Sequence, residues 1–302
     1  ALLLSVLEQG MIYGILALGV YITYKILDFP DLTVDGSFPF GAAITVRLIN
    51  GFGVPAILTL PIAFLGGALV GICTGLIHVK LKVRDLLSGI IMMTGLYTIN
   101  LWVAGSGYVA IFDKDNIFNN SFVNSITPGF LVNFKNVIII FLITMVAKYL
   151  LDWYMSTKSG FLLRAVGDND TIVTSLGVDK GLVKIVGLSI ANGLVSLSGC
   201  IYAQQQRSFE ISIGTGAVVI GLASVIIGTS LFKKLTFVKT TTAVIIGSIL
   251  YKGCVAIAIR FFDPQSMKLI TAVLFLVILV ISMERKQKAK GMAAGQKGGK
   301  NA

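Results

Sequence analysis

The 302-residue chain is 55% apolar and only 13% charged, with 33 glycines and a formal net charge of +11. A soluble domain carries about 25% charged residues, so this chain lacks the polar surface to coat a water-exposed globule. That excludes an ordinary soluble enzyme, a disordered protein and a nucleic-acid binder. Cys73, Cys200 and Cys254 sit far apart in apolar runs, with a single histidine, His78. Neither a disulfide framework nor a metal site can be assembled from them, and no cofactor is expected. The class that remains is an all-α polytopic membrane protein.

Apolar runs of about 20 residues mark the spans. They fall at 2–24, 38–49, 54–79, 86–104, 134–151, 185–203, 217–232, 240–259 and 269–283, about nine crossings (8–10). The first run lacks a basic start and a small-residue cleavage site, so it is expected to stay as a helix. The run at 38–49 is short enough for a half-helix, and 25–49 can be read as re-entrant. In the third run Gly67, Gly71 and Gly75 form a four-residue stripe that lets another helix backbone approach closely.

Basic residues set the orientation. With nine crossings and a cytoplasmic C-terminus, the inside segments 25–36, 80–85, 152–184, 233–239 and 284–302 hold 17 Lys and Arg, against 6 in the outside segments. The opposite orientation inverts that ratio, so the N-terminus is expected outside. The domain boundary follows: 1–283 forms one transmembrane domain, and 284–302 is a basic, disordered cytoplasmic tail without an apolar face. Lys148 lies near a cytoplasmic end, where snorkelling is the default.

The longest inside loop, 155–178, reads MSTKSGFLLRAVGDNDTIVTSLGV. Phe161, Leu162 and Ala165 make a short apolar stripe between Gly160 and Gly167. Asp168 or Asp170 can cap a second turn that stops at Gly177. Two very short helices with an apolar face outside the bilayer need a partner to cover them.

With Gly160, Ala165, Gly167, Asn169 and Gly177 at their offsets, this loop resembles the coupling segment of ATP-binding-cassette importer permeases. The group in question includes branched-chain amino acid, ribose and nucleoside permeases. Ile172 and Val173 stand where that group has small residues. The run 214–228, GTGAVVIGLASVIIG, resembles the group's Gly-rich span, and 27–43, LDFPDLTVDGSFPFGAA, resembles a narrower subfamily of tryptophan or tyrosine importers of Gram-positive bacteria.

The resemblance implies a permease in the bacterial cell membrane, with Ser159, Gly160, Phe161, Leu162, Arg164, Ala165, Gly167, Asn169 and Gly177 at the ATPase contact. It also implies two separate ATPase subunits, a lipid-anchored extracellular binding protein and a second copy of this chain. The chain itself has no G-x-x-x-x-G-K-[ST] phosphate loop, so it is not expected to hydrolyse ATP. An aromatic amino acid is the solute implied. A secondary transporter or channel without an ATPase is the rival reading.

Asp31-Leu-Thr-Val34 and Glu210-Ile-Ser-Ile213 share one pattern at an offset of 179 residues, which also pairs Gly14 with Gly193. Applied throughout, the offset maps the first four spans onto the last four and leaves 134–151 between them. An odd spacer inverts the second copy, so an inverted repeat of four-helix units is expected. Asp28, Asp31 and Asp35 then read either as a solvated turn or as the lining of a pathway broken by Pro30, Gly36 and Pro39. Glu210 and Gln204–Gln206 form the opposite mouth or contact the binding protein. Asn100, Asn192 and Lys252 are the costly residues within spans. Lys252 either snorkels outward or serves a buried role, and His78 reads as structural.

Overall fold

The computed structural model describes residues 2–126, 134–175, 177–232, 238–259 and 269–281. The predicted tail at 284–302 lies outside these residues. Helix α1 (Leu2–Val20) runs straight into a π-helical turn, Tyr21–Ile26. Then come α2 (Val34–Phe52), a 3₁₀ turn (Ala56–Leu58) leading into α3 (Thr59–Val79), and α4 (Asp85–Ala104). A short strand β1 (Tyr108–Ala110) and α5 (Ser121–Ile126) precede the long α6 (Lys135–Met155). Beyond α6 lie α7 (Lys158–Asp168), α8 (Asp170–Ser175), α9 (Lys180–Gln206) and β2 (Ser208–Glu210). A 3₁₀ turn, α10 (Ala217–Leu231), α11 (Thr240–Ile259) and α12 (Leu269–Ile281) complete the chain.

Among the described residues, seven helices are long and apolar enough to cross a membrane. The two further predicted spans correspond to α2, which carries Asp35 and Arg47, and to the 13-residue α12. Both α2 and α4 stop at a glycine in the left-handed region, Gly53 (φ 60°) and Gly105 (φ 83°), which ends a helix without a Cβ clash.

Helix α9 is the hub, with α1, α2 and α3 packed against it. The predicted glycine stripe is its contact with α3. A Cβ at Gly67 would lie 2.3 Å from Ser196, one at Gly71 2.2 Å from the Leu188 carbonyl oxygen, and one at Gly75 2.9 Å from Ile185. Lipid tails are as apolar as leucine, so helices associate here through backbone proximity and interhelical hydrogen bonds. Ser196 donates to the Ala63 carbonyl at 2.7 Å, and Ser198 to the Ile12 carbonyl at 2.6 Å.

The 179-residue offset superposes α1 on α9, α2 on α10, α3 on α11 and α4 on α12. Contacts repeat accordingly: α3 packs on α9 as α11 packs on α1, and α2 on α9 as α10 on α1. Gly14 faces Ile245 of α11, and its counterpart Gly193 faces Phe64 of α3. Ile12 lies beside Ser198 while Gly19 abuts Ala191, so α1 and α9 run antiparallel. The second unit is therefore inverted relative to the first.

The loops sort to two ends as the basic-residue count groups them. At one end Gly167 meets the Ile26 carbonyl, Gly181 meets Val79, and Lys239 pairs with Asp152 at 3.5 Å. At the other, β1 and β2 pair antiparallel, with Tyr108 opposite Glu210, and Asn50 donates to the Ala110 carbonyl at 3.2 Å. Lys148 does not snorkel: it is 7% exposed and pairs with Asp152 at 3.2 Å. The carboxylate that holds it lies one turn further along its own helix.

Asp28 is exposed at the first end and Glu210 at the second, whereas Asp31 is buried. Single cysteines at Asp28 and Glu210, in a background lacking Cys73, Cys200 and Cys254, are expected to react with an impermeant thiol reagent from opposite faces of a sealed vesicle. Reaction of both from one face would contradict the inverted arrangement.

Candidate functional site

The first crossing ends at Ile26, yet α2 does not begin at the surface. Leu32 sits against Gly89, and Gly36 packs on Met93 and Leu96, about halfway along α4. Residues 27–33 therefore return into the bundle as irregular chain. Such backbone is tolerated at membrane depth only where protein satisfies it or it lines a cavity. Asp31 supplies the satisfaction: one carboxylate oxygen accepts from the Thr33 amide at 2.9 Å, the other from Asn192 Nδ2 at 2.8 Å. Asn192 Oδ1 accepts from Ser37 Oγ at 2.6 Å, and the Thr33 and Thr74 hydroxyls bond at 3.1 Å. Asp31 is 5% exposed and Asn192 fully buried; among the described residues no cation pairs with this carboxylate.

The mate of this break lies across the repeat interface. The start of α10 reaches the start of α2, and Asp35 accepts from the Gly216 amide at 3.1 Å and the Val218 amide at 2.8 Å. An acidic side chain from one repeat thus caps the positive end of a helix in the other. Pro39 has no N–H to offer the Asp35 carbonyl, and Gly214 closes on that carbonyl so tightly that a Cβ would lie 2.0 Å away. Asn100 donates to the Gly36 carbonyl at 3.1 Å, while its buried Oδ1 has no partner among the described residues.

A second cluster adjoins α2 one turn on. Tyr13 stacks on Phe38 (centroids 5.5 Å apart) and meets Tyr202 edge-on at 5.9 Å. Lys252 Nζ sits 3.5 Å from the Tyr13 ring centroid, a cation–π contact. The lysine is half-buried and its Nζ lies on the Tyr13 ring of α1, the ring that stacks on Phe38 of α2 and meets Tyr202 of α9.

Of the residues singled out as pathway candidates, Asp31, Asp35, Asn100 and Asn192 converge around the start of α2, while Lys252 belongs to the aromatic cluster. Asp28 and Glu210 do not join them. Asp28 is exposed with φ 51°, and Glu210 lies on β2, accepting from Ser212. Gln204 is a buried tie, donating to Thr59 at 2.9 Å and accepting from the Ile117 amide at 3.0 Å. Thr33, Ser37 and Thr74 of the polar cluster escaped sequence reasoning, as did Tyr13, Phe38 and Tyr202. The hydroxyls beside Asp31 and Asp35 were the available signal for Thr33 and Ser37; Thr74 and the aromatic residues, within apolar runs, give none. His78 holds the α3–α4 turn through the Val83 carbonyl at 2.9 Å and meets Phe29 edge-on.

At the first end the expected pair of short helices is present as α7 and α8, with α7 running through both Gly160 and Gly167 rather than between them. Thr157 caps it, accepting from the Gly160 amide at 3.4 Å. The glycines lie inside because they form its seat: a Cβ at Gly160 would lie 2.5 Å from the Tyr154 carbonyl oxygen, and one at Gly167 1.6 Å from that of Ile26. The seated face is Gly160, Leu163 and Val166, with Leu162 and Ala165 partly covered by the bundle. Phe161 is 60% exposed, and Ser159 and Arg164 are exposed beside it. Asn169 joins the two helices, accepting from the Thr171 amide at 3.1 Å, and Gly177 (φ 74°) turns the chain after α8.

Replacing Asn192 with Ala strips a donor from Asp31 and an acceptor from Ser37. A buried polar group left unsatisfied costs about 1–3 kcal/mol. The variant is expected to unfold at a clearly lower temperature in detergent, whereas Glu210→Gln on the exposed strand leaves the midpoint unchanged.

Residues 2–283 match the family described as branched-chain amino acid transport system / permease component. The chain is 42% identical over 279 residues to a tyrosine transport system permease protein of Clostridioides difficile (strain R20291), covering 92% of this chain and 90% of that one. It is 26% identical to a probable branched-chain amino acid transport permease protein LivH of Methanocaldococcus jannaschii, over 71% of this chain and 70% of the other. It is also 26% identical to the ribose import permease protein RbsC of Escherichia coli (strain K12), over 75% and 68%. No solved structure matches.

Proposed function

The chain belongs to the branched-chain amino acid transport system permease family, and on that premise we propose that it is the membrane-spanning subunit of an ATP-driven importer of aromatic amino acids. The observation that carries the solute class is the 42% identity, over nine-tenths of both chains, to a tyrosine transport permease. In this reading two copies of the chain surround the path and two ATPase subunits dock at α7. A lipid-anchored binding protein delivers solute at the β1–β2 end. The end that carries α7 is cytoplasmic, with the C-terminus, and the N-terminus is outside; the 17 basic residues grouped with that end support it. The chain transports and its partners hydrolyse.

The broken segments at 27–33 and 211–216 sit at the repeat interface, where movement of one repeat against the other opens the path between the two copies alternately to each side. Asp31, Asp35, Asn100 and Asn192 line or gate that path. The surface helix α7 rests on Ile26 and Leu27, the residues from which the first broken segment departs. A push on α7 therefore reaches the break directly.

Deleting the gene is expected to abolish saturable uptake of labelled tyrosine by intact cells, with restoration by the wild-type gene. Unlabelled tryptophan and phenylalanine should compete with tyrosine for that uptake, and ribose should not. Unchanged tyrosine uptake in the deletion strain would refute the solute class.

Docking is tested at Phe161, the exposed apolar residue of α7, because Ala165 is partly seated on the bundle. Phe161→Asp puts an unpaired charge into a desolvated contact, costing several kcal/mol. Each 1.4 kcal/mol is about tenfold in affinity. The expected result is a well-expressed permease that no longer co-purifies with its ATPase; normal transport by this variant would place the docking surface elsewhere.

A further inference from the structure

Lys252 is held in an unusual way for a lysine within a span. A long cationic side chain near the outer third of a helix ordinarily extends to the interface and keeps its charge in water. Here Nζ turns inward instead, onto the face of Tyr13, a ring only 6% exposed. The ring is itself fixed, stacked on Phe38 and edge-on to Tyr202, which meets Phe38 at 5.5 Å. The helix that carries the lysine is fixed too. Ser248 donates to the Gly10 carbonyl one turn earlier, and a Cβ at Gly10 would lie 2.8 Å from Ile249.

A ring face attracts a cation but does not neutralise it. Among the described residues no carboxylate pairs with Lys252. Of the described acids at this end, Glu8 is engaged by Gln205 at 3.0 Å and Glu210 by Ser212, while Asp113 and Asp115 are exposed beside the turn at 53–56. Among the described residues the anionic half of the pair is missing. The cluster also straddles the repeat interface: Tyr13 and Phe38 belong to the first unit, Tyr202 and Lys252 to the second. Solutes of inverted-repeat transporters are handled at such an interface. Around the cation the chain offers aromatic faces.

We infer that Lys252, held over Tyr13 beside Phe38 and Tyr202, receives the carboxylate of the amino-acid solute in the outer half of the path. The aromatic rings flank the solute's side chain. This inference rests on the amino-acid reading above and adds the residue that recognises the acid group. The offset places Tyr13 opposite Asn192 of the second unit, so equivalent positions of the two repeats carry an aromatic–cation cluster in one half and a hydrogen-bonding cluster around the Asp31 carboxylate in the other. A solute with an apolar ring and charged termini meets complementary surroundings in the first.

The experiment uses the assembled importer in proteoliposomes with its ATPase and binding protein, comparing the wild type with Lys252→Met and Lys252→Arg. The binding protein is common to all arms, so a change in solute discrimination belongs to the permease. A charge-assisted hydrogen bond to a carboxylate carries about tenfold or more in affinity. Lys252→Met is expected to raise the KM for tyrosine by about that factor and to lessen its preference over tyramine, which lacks the carboxylate. Lys252→Arg should keep most of both. Lysine acetylation of the wild-type complex, read by mass spectrometry, gives a second measurement that needs no variant. Tyrosine and 4-hydroxyphenylpropionate should protect Lys252, and tyramine should not. Wild-type KM and discrimination in Lys252→Met, or equal protection by tyramine, would overturn the inference alone. A wild-type importer that transports no amino acid would overturn the functional reading, and this inference with it.

Discussion

Two helices of this bundle start in its interior, and every helix start leaves four amides without carbonyl partners. Water cannot reach them at membrane depth, so protein must. Asp35, in the first turn of α2, bonds two backbone amides at the start of α10, and Gly214 closes on the carbonyl that Pro39 leaves free. The two inverted units are thereby joined at the point where both are broken. Asp31 satisfies the Thr33 amide of its own unit and ties the irregular segment to Asn192 on α9 of the second unit.

This arrangement depends on how closely the surrounding helices approach. Gly67, Gly71 and Gly75 let the α3 backbone lie against α9, and hydroxyls of Ser196 and Ser198 bond carbonyls of neighbouring helices. A methyl group at any of the three glycines would meet another atom at under 3.0 Å. The same device recurs at the end of the bundle, where Gly167 seats α7 on the Ile26 carbonyl. Glycines of the coupling pattern thus serve packing, and they bring a surface helix to the residue from which the broken segment departs. Surface, break and interior cluster form one connected series of contacts.

The polar interior is divided. Toward α7 the cluster is neutral apart from Asp31, with hydroxyls and an amide arranged around the carboxylate. Toward β1 and β2 it is aromatic, with a single cation. The two repeats share a backbone plan but place different chemistry at equivalent positions, Tyr13 in one and Asn192 in the other.

Much of the fold was legible in sequence because the bilayer imposes simple rules. Apolar length located the helices, the basic-residue count grouped the loops by end, and the 179-residue offset exposed the repeat. The glycine spacing announced a close helix contact. Asn100, Asn192 and the aspartates stood out because polar groups in apolar runs are costly. What sequence could not fix was direction. Whether Lys252 points outward or onto Tyr13, and whether Asp31 lies in a surface turn or in the core, depends on which helices surround it. The same holds for α7, where the predicted stripe of Phe161, Leu162 and Ala165 proved to straddle the seated and exposed faces. The aromatic cluster draws Tyr13, Phe38, Tyr202 and Lys252 from four helices far apart in the chain. Their types look ordinary in apolar spans, and only the packing of inverted repeats brings a cation and three rings to one place.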